Sequence, residues 1–362
     1  MLLLRVQRSL ASSGKRAYHD LQTLPSTKPI VSYGPPGYSA VSGHTVTVFG
    51  CTGFLGRYLV SRIAKMGTQV IIPYRDEDEA RVFKPMGDLG QIVRMEWDIR
   101  NEEQIAECLR HSDIVYNLSG RDYETKNFDF ESVHVTGAER IASVAAQVGV
   151  PRFVHVSHLN ASATSESKYY QTKALGEERV KAAFPTATIV RPGAMYGYED
   201  KLLNSMAIAP WWWKLNGGKT LIRPVHVVDV AHALADLMPA NHLGSRTLSL
   251  PGPSTLTYEY LVDLVSAVTL QSSYSYLPEI PRGVATAFAR ALQAVWWPLM
   301  SPDEVTRRYI NDSEVVGDWA ELGIVPTEVE ALALKYLRRY RNADNYTEPV
   351  EFPARPPSLT TA

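Results

Sequence analysis

One short segment sets the strongest limit on how this chain can fold. Residues 50–56 read GCTGFLG, with Gly50, Gly53 and Gly56 spaced three apart. The β-branched run TVTVF precedes them, and FLGRYLVSRIAKMG follows with apolar residues at helical spacing. A strand, a tight glycine turn and a helix N-terminus together bring backbone N–H groups close to a bound pyrophosphate. The segment therefore predicts a strand–loop–helix unit that binds a nucleotide.

The pattern of a strand followed by a helix recurs beyond this segment. Further strands are predicted at QVIIPYR, QIVRMEWD, DIVYNLSG, RFVHVSH and TATIVRP, and helices at EEQIAECLR, SVHVTGAERIASVAAQVG and KYYQTKALGEERVKAAF. Strands that alternate with helices form a parallel sheet covered on both faces. We therefore predict an α/β protein with a Rossmann-type, doubly wound parallel sheet and a smaller C-terminal α/β lobe.

Composition divides the chain into four predicted parts. Residues 1–17 are basic, rich in serine and free of acids, which is typical of a mitochondrial presequence. A disordered basic terminus is the alternative. The Rossmann domain is predicted over 44–200 and the smaller lobe over 201–341, with parts of the sheet shared. The proline-rich residues 342–362 are predicted to form an extended tail.

Charge and cysteine content narrow the class of protein. The net charge of -1 gives no general attraction to nucleic acid. Two cysteines, Cys51 and Cys108, provide no disulfide framework, so a reducing compartment is expected. No apolar run reaches the roughly 18–20 residues of a spanning helix, so any membrane association is expected to be peripheral. The nine histidines show no metal-ligand spacing.

Residues at the ends of the next strands indicate which nucleotide binds. Arg75 ends the second strand about 20 residues beyond the glycine loop, where a guanidinium suits the 2′-phosphate of NADPH. Asp76 follows directly, so NADH remains an alternative. Asp98 and Ile99 end the third strand, where adenine is expected, and Leu118, Ser119 and Gly120 end the fourth.

The order of the motifs resembles that of the extended and atypical short-chain dehydrogenase/reductase superfamily. The order is GxxGxxG, WDI, NLSG, YxxxK, RPGAMYG and PVHVVDVA. More narrowly, six strings resemble the NADPH-binding accessory subunits of mitochondrial respiratory complex I, namely TVFGCTGFLGRY, QVIIPYR, PMGDLGQ, GRDYETKNFDFE, HVSHLNA and PVHVVDVA. This similarity covers roughly residues 41–229, and a weaker similarity is found in LGIVPTEVEAL. It implies a non-catalytic subunit required for assembly or stability of the complex.

The resemblance implies a reaction that this chain has lost. In the superfamily a tyrosine transfers the proton, a lysine binds the nicotinamide ribose and a serine or threonine holds the carbonyl. Tyr169 and Lys173 match the first two, but Leu159 stands at the third position and cannot donate a hydrogen bond. Asn160 is the one nearby polar residue that could replace the serine, and His134 stands where such enzymes commonly have asparagine. We therefore predict no catalytic residues, with Tyr169 and Lys173 vestigial.

The expected cofactor is tightly bound, structural NADPH. Its predicted binding residues are Gly50, Thr52, Gly53, Phe54, Leu55, Gly56, Arg75, Asp98, Ile99, Leu118, Ser119, Gly120, Val156, Tyr169, Lys173 and Pro192. Two alternatives remain open, namely an active NADPH-dependent reductase or epimerase of the extended class and a free NADPH-sensing assembly protein.

The resemblance also implies partners and a location. The partners are other complex I subunits, in the matrix arm near the quinone site, and the location is the matrix side of the inner membrane. Five of the seven tryptophans lie in WWWK, residues 211–214, and WWP, residues 296–298. Tryptophan is favoured at protein interfaces and at lipid headgroups, so peripheral lipid contact is a further expectation. Packing inside the smaller lobe is the alternative for these tryptophans.

Overall fold

The computed structural model describes residues 42–239, 244–271, 280–295 and 301–355, together with the backbone of 20–23 and 29–32. The predicted presequence, the second tryptophan cluster and the end of the predicted tail lie outside the described residues. The side chains of Trp211, Trp212 and Trp213 do so as well, although their backbone lies in the 3₁₀-helical segment Pro210–Gly218.

The chain alternates between strands and helices up to residue 192 and is mainly helical after that. The strands are β1 Asp20–Thr23, β2 Pro29–Ser32, β3 Thr45–Phe49, β4 Gln69–Tyr74, β5 Ile92–Glu96, β6 Ile114–Asn117, β7 Arg152–Val156, β8 Thr188–Pro192, β9 Met195–Tyr196, β10 Leu221–Ile222, β11 Val225–His226, β12 Thr247–Leu250 and β13 Leu256–Thr257. The α-helices are α1 Phe54–Lys65, α2 Glu77–Ala80, α3 Glu102–Leu109, α4 Ala138–Val148, α5 Lys168–Ala183, α6 Leu203–Ile208, α7 Val227–Asp236, α8 Tyr258–Thr269, α9 Arg282–Val295, α10 Pro302–Arg307, α11 Trp319–Leu322 and α12 Val329–Leu337.

Seven strands form one sheet in the order β12-β8-β7-β6-β3-β4-β5, and every neighbouring pair is parallel. The strand order reverses between β3 and β6. Ligands of open α/β sheets bind outside the carboxyl ends of the strands at such a switch point. The glycine loop, residues 50–56, follows β3 and therefore lies at this switch point.

Helices cover both faces of the sheet. On one face α1 and α7 pack on the strands through the buried side chains of Leu59, Ile63, Val230 and Leu234. On the other face α3, α4 and α5 bury Ile105, Leu109, Ile141 and Val180. The predicted α/β class and doubly wound parallel sheet are therefore confirmed.

Five of the remaining helices, α6, α8, α9, α10 and α12, form what we call the smaller lobe. α6, α8 and α12 share a core that contains Met206, Leu264 and Ala333. α9 and α10 pack with the Pro210–Gly218 segment through Ala285, Ala289, Val305 and Leu215. The strands nearby are only two residues long. β12 and α7 come from the same half of the chain but belong to the main sheet and its core.

One predicted helix differs from the structure in a way that affects the site. The pattern predicts a single helix over 132–149, whereas the structure has a π-helical turn, Ser132–Gly137, followed by α4. A Cβ on Gly176 of α5 would lie 2.3 Å from the carbonyl oxygen of His134. The turn therefore packs directly on the backbone of α5, and π-turns of this kind frequently mark functional sites.

Two features are absent from the described part of the chain. No helix there is long and apolar enough to cross a membrane. No group of three or more histidine, cysteine or acidic side chains is arranged there to hold a metal ion.

Candidate functional site

The glycine loop and the loop after β6 touch through their backbones. Gly50 has a φ of 74°, a conformation that favours glycine. A Cβ at this position would lie 2.9 Å from the backbone of Leu118 and Ser119. A larger residue would push the two loops apart. The close contact fixes the floor of a groove at the switch point of the sheet.

The N-terminus of α1 opens into this groove. Gly53 is the N-cap residue of this 12-residue helix, and no side chain caps its first N–H groups. Gly56 packs so tightly that a Cβ would lie 2.4 Å from the carbonyl oxygen of Cys51. Cys51 is fully buried, and burial raises the pKa of its thiol to about 12, so it acts as a small packing residue. Free N–H groups at a helix N-terminus suit an anionic pyrophosphate.

Polar atoms without a partner lie at the carboxyl ends of the next strands. Ser119 Oγ, Ser157 Oγ and His155 Nε2 are buried, and none makes a hydrogen bond within the described part of the chain. Buried polar atoms are nearly always hydrogen-bonded, so such a set at one sheet edge fits a polar ligand. The helix N-terminus, the glycine loop and these atoms are the kinds of group that bind a dinucleotide.

Tyr169 and Lys173 lie on α5, beside this groove. Lys173 Nζ is 5.9 Å from the centroid of the Tyr169 ring and donates a hydrogen bond to the carbonyl oxygen of Val156 at 3.3 Å. A Cβ on Gly120 would lie 3.2 Å from Lys173 Nζ, so the ammonium lies directly against the loop after β6. Burial lowers the pKa of Lys173 to about 8. The ammonium of Lys173 therefore lies between the loop after β6 and the end of β7.

A buried leucine occupies the position where the superfamily has a serine or threonine hydroxyl. Leu159 is buried, and its N–H donates to the carbonyl oxygen of Pro192 at 2.9 Å. Asn160, which could have replaced the serine, is engaged elsewhere. Its Nδ2 donates to Asp312 Oδ1 at 2.7 Å, and its Oδ1 accepts from Ser313 N at 2.9 Å. The side chain of Asn160 therefore holds the segment after α10 and is not available as an oxyanion donor.

Tyr169 itself is covered by the smaller lobe. The guanidinium carbon of Arg307, at the end of α10, lies 4.5 Å from the centroid of the Tyr169 ring. Phe130, His134 and His158 surround the ring at centroid distances of 5.8, 5.2 and 5.9 Å. Burial raises the pKa of Tyr169 and lowers that of His158 to about 3. The tyrosine is thus protonated and enclosed at neutral pH.

His134 serves as a structural link. Its Nε2 accepts a hydrogen bond from Arg121 N at 3.1 Å, so Nδ1 carries the proton and donates to Thr172 Oγ1 at 3.0 Å. Burial lowers the pKa of His134 well below its ordinary value. The neutral ring therefore connects the π-helical turn and the loop after β6 to α5.

The residues predicted for the adenine end follow β4 and β5. Arg75 is exposed directly after β4, and no hydrogen bond or ion pair engages it within the described residues. The Asp76 carboxylate accepts from Asp78 N at 2.9 Å and caps α2. Asp98 Oδ1 accepts from Arg100 N at 2.8 Å, and Ile99 packs against Gly137. All of these residues lie at the carboxyl edge of the sheet, as the strand ends predict.

The other predicted residues line the same edge. Leu55 is buried under the glycine loop, and Phe54 packs on the loop that follows β9, because a Cβ on Gly197 would lie 3.1 Å from Phe54 Cζ. The carbonyl oxygens of Val156 and Pro192 accept hydrogen bonds from Lys173 and Leu159, so these two positions contribute backbone already engaged within the chain.

Two arginines in the site were missed by the sequence analysis. Arg57 Nε donates to the carbonyl oxygen of Thr52 at 3.2 Å and so holds the glycine loop. The sequence could have indicated Arg57, because it directly follows the third glycine and lies on the first turn of the helix. Arg307 carries no comparable signal, because it approaches Tyr169 from 138 residues further along the chain through the fold of the smaller lobe.

Comparison with known proteins agrees with this geometry. A family model described as NAD(P)H-binding matches residues 50–238. Among solved structures, DesIV, a dTDP-glucose 4,6-dehydratase from Streptomyces venezuelae with NAD and TYD bound, superimposes with a TM-score of 0.63 and 17% identity. The match covers 85% of this chain and 100% of the DesIV chain. Fold and family model thus define an NAD(P)H-binding protein with a Rossmann-type sheet.

Two curated relatives give a narrower assignment. The chain is 42% identical to the NADH-ubiquinone oxidoreductase 40 kDa subunit of Neurospora crassa, over 92% of this chain and 89% of the relative. It is 39% identical to NADH dehydrogenase [ubiquinone] 1 alpha subcomplex subunit 9 of Rattus norvegicus, over 86% and 84%. The chain belongs to this family of accessory subunits of mitochondrial respiratory complex I, and the predicted resemblance is confirmed.

The first prediction concerns the pH dependence of nucleotide binding. Lys173 is charged below a pKa of about 8 and neutral above it, whereas the pKa shifts of His134, His155 and Tyr169 leave those groups neutral between pH 7 and pH 9. A neutral amine attracts an anionic nucleotide less than an ammonium does, so affinity should fall as pH rises through 8. Calorimetry with NADPH at pH 7 and pH 9 measures the change.

The matched control for this experiment is Lys173→Met. The variant should bind more weakly at pH 7 and show little further loss at pH 9, because the titrating group is gone. An equal loss of affinity with pH in wild type and variant would mean that another group titrates.

Proposed function

We propose that this chain is a structural, non-catalytic NADPH-binding subunit of respiratory complex I, required for assembly or stability of the complex. One observation carries the non-catalytic part of the proposal. The position of the oxyanion donor is occupied by buried Leu159, while Arg307 covers the face of Tyr169. Loss of one oxyanion donor alone reduces rate by about 10²–10³. Here the ring that would transfer the proton is also enclosed by the chain's own smaller lobe.

The retained Lys173 is explained by binding alone. Its ammonium lies beside Gly120 at the groove and is held by the Val156 carbonyl, where a ribose would approach. Burial of this ammonium is unfavourable without a polar partner, and a ribose hydroxyl supplies one. Cofactor binding therefore accounts for the lysine without any reaction.

NADPH is the proposed cofactor in preference to NADH. The Asp76 carboxylate, which could hold a ribose 2′-hydroxyl, already accepts the Asp78 N–H at the start of α2. Arg75 is the exposed cation at the end of β4. A guanidinium pairs with a phosphate through charge-assisted hydrogen bonds, which favours a nucleotide that carries a 2′-phosphate.

We further propose that the subunit lies peripherally on the matrix side of the inner membrane, among matrix-arm subunits near the quinone site. The family resemblance implies this location. The surface of α9 is compatible with lipid contact, because the helix carries Arg282 and Arg290 but no acid and exposes Val284 and Phe288.

The main alternative is an active NADPH-dependent reductase. The placement of Tyr169 and Lys173 on one side of α5, with Lys173 Nζ 5.9 Å from the tyrosine ring, favours it. For turnover, Arg307 would have to move away from the ring, and another donor would have to replace Leu159. Two changes are thus needed before a carbonyl could react.

The second prediction tests cofactor choice with Arg75→Ala. Loss of a charge-assisted hydrogen bond costs about 1.5–3 kcal/mol, or about 10–100-fold in affinity. Calorimetry should show this loss for NADPH and little change for NADH. Arg81→Ala, which removes a nearby exposed arginine, is the control and should leave both affinities unchanged. An equal loss for both nucleotides in Arg75→Ala would show that Arg75 does not read the 2′-phosphate.

The third prediction tests chemistry with Tyr169→Phe. Wild-type protein should bind NADPH without oxidising it in the presence of carbonyl, quinone or nucleotide-sugar substrates, and the variant should behave identically. Tyr170→Phe is the control for removal of a buried hydroxyl on the same helix. A rate of NADPH oxidation, measured by absorbance, that is lost only in Tyr169→Phe would establish the reductase instead.

The fourth prediction tests the structural role of the nucleotide with Gly53→Val. A branched side chain at the N-cap of α1 would block the approach of the pyrophosphate. A ligand that binds only the folded state stabilises it by about 2.7 kcal/mol at a hundredfold excess over Kd, and this contribution would be lost. The melting temperature of the free subunit in NADPH and the yield of assembled complex should both fall.

Native electrophoresis of mitochondria with in-gel activity measures that yield. Gly283→Val is the control, because a Cβ at Gly283 in α9 meets nothing within 4 Å. Normal assembly of a Gly53→Val subunit that binds no nucleotide would contradict the structural role.

A further inference from the structure

We propose that residues 197–201 form a strap across the nucleotide groove that retains the bound nucleotide, with ion pairs Arg57–Glu199 and Asp122–Lys201 as its two latches. We call these residues the strap. The inference rests on the proposed function, because it concerns the release of the same nucleotide. The four residues of the two latches would act on the nucleotide indirectly, because they hold the strap in place.

The first latch joins the strap to the glycine loop. Arg57 Nη1 lies 2.8 Å from Glu199 Oε2, while Arg57 Nε donates to the Thr52 carbonyl at 3.2 Å. The same guanidinium therefore contacts both the loop that would hold the pyrophosphate and the strap. Gly197 adds to this contact, because a Cβ there would lie 3.1 Å from Phe54 Cζ.

The second latch joins the strap to the opposite wall. Lys201 Nζ donates to Asp122 Oδ2 at 2.9 Å, and it lies 6.0 Å from the centroid of the Tyr123 ring. Asp122 is two residues beyond Gly120, in the loop that follows β6. Since the glycine loop and the loop after β6 meet at Gly50, a segment fastened to both of them spans the groove between them.

Both latches are suited to opening. The side chains of Arg57 and Glu199 are 30% and 47% exposed, and those of Lys201 and Asp122 are 79% and 46% exposed. Exposed ion pairs are individually weak and are screened by salt. Two weak contacts can therefore release and re-form without disrupting the core.

Hydrogen bonds anchor the strap to the smaller lobe. Asp200 accepts backbone N–H groups from Gly197, Leu203 and Asn204, which ties the strap to the start of α6. Arg339, just beyond α12, donates to the carbonyl oxygen of Tyr198 at 2.7 Å. The strap is thus part of the smaller lobe, and opening of the latches would move it relative to the sheet.

The fifth prediction measures the rate at which NADPH dissociates from the full chain. Glu199→Gln and Lys201→Gln each remove the charge that forms one latch. Removal of an exposed ion pair is worth about a 1.5–5-fold change. Each variant should speed NADPH dissociation by about this factor, and the double variant should speed it further. The association rate should stay within about twofold, because the groove itself is unchanged.

Two controls make the result specific. Glu321→Gln removes the Arg246–Glu321 pair, which is equally short at 2.8 Å and similarly exposed but contacts neither wall of the groove, and it should leave the dissociation rate unchanged. Raising the salt concentration should speed dissociation more in wild type than in the double variant, since part of the salt effect acts on the latches.

The outcomes separate this inference from the proposed function. If NADPH binds tightly to wild type and dissociates at the same rate from the double variant, the strap does not retain it. If wild type binds no NADPH at all, the proposed function fails and the strap has no ligand to retain. A faster dissociation rate in both single variants, with normal affinity in Glu321→Gln, supports the strap.

Discussion

The backbone contact between Gly50 and the Leu118–Ser119 peptide is the constraint on which the site depends. It is available only because Gly50 has no Cβ and adopts a positive φ. The contact brings the loops after β3 and β6 together at the point where the strand order reverses. The N-terminus of α1, the buried Ser119 Oγ and the ammonium of Lys173 then lie close to these two loops. A side chain at position 50 would separate these groups.

The proposed non-catalytic role rests on a contrast between two residues of α5. Lys173 lies at the groove, whereas Tyr169 is enclosed under Arg307 and Leu159 replaces the oxyanion donor. The enclosing residue, Arg307, comes from α10 of the smaller lobe, so a contact within the protein covers this ring. This contrast is what the proposed function, nucleotide binding without turnover, requires.

Much of the fold and the cofactor edge could be predicted from sequence, because both are local. β-branched runs, helical spacing and the glycine triplet each act over about 20 residues, and the positions of Arg75, Asp98 and Ser119 follow from the strand ends. Long-range contacts could not be predicted. Neither the Arg307 guanidinium over Tyr169 nor the Asn160–Asp312 hydrogen bond leaves a pattern in the sequence, since each joins segments more than 130 residues apart. The division of the predicted helix at Ser132–Gly137 likewise depends on packing against Gly176.

The most direct test of the central claim is the nucleotide content of natively purified complex I before and after sustained NADH oxidation, measured by mass spectrometry. If the nucleotide of this subunit is a structural part, the complex should hold about one NADP(H) per copy of the subunit, in the same amount and redox state after turnover. A complex that contains no NADP(H) in this subunit, or whose NADPH is oxidised during turnover, would contradict the account.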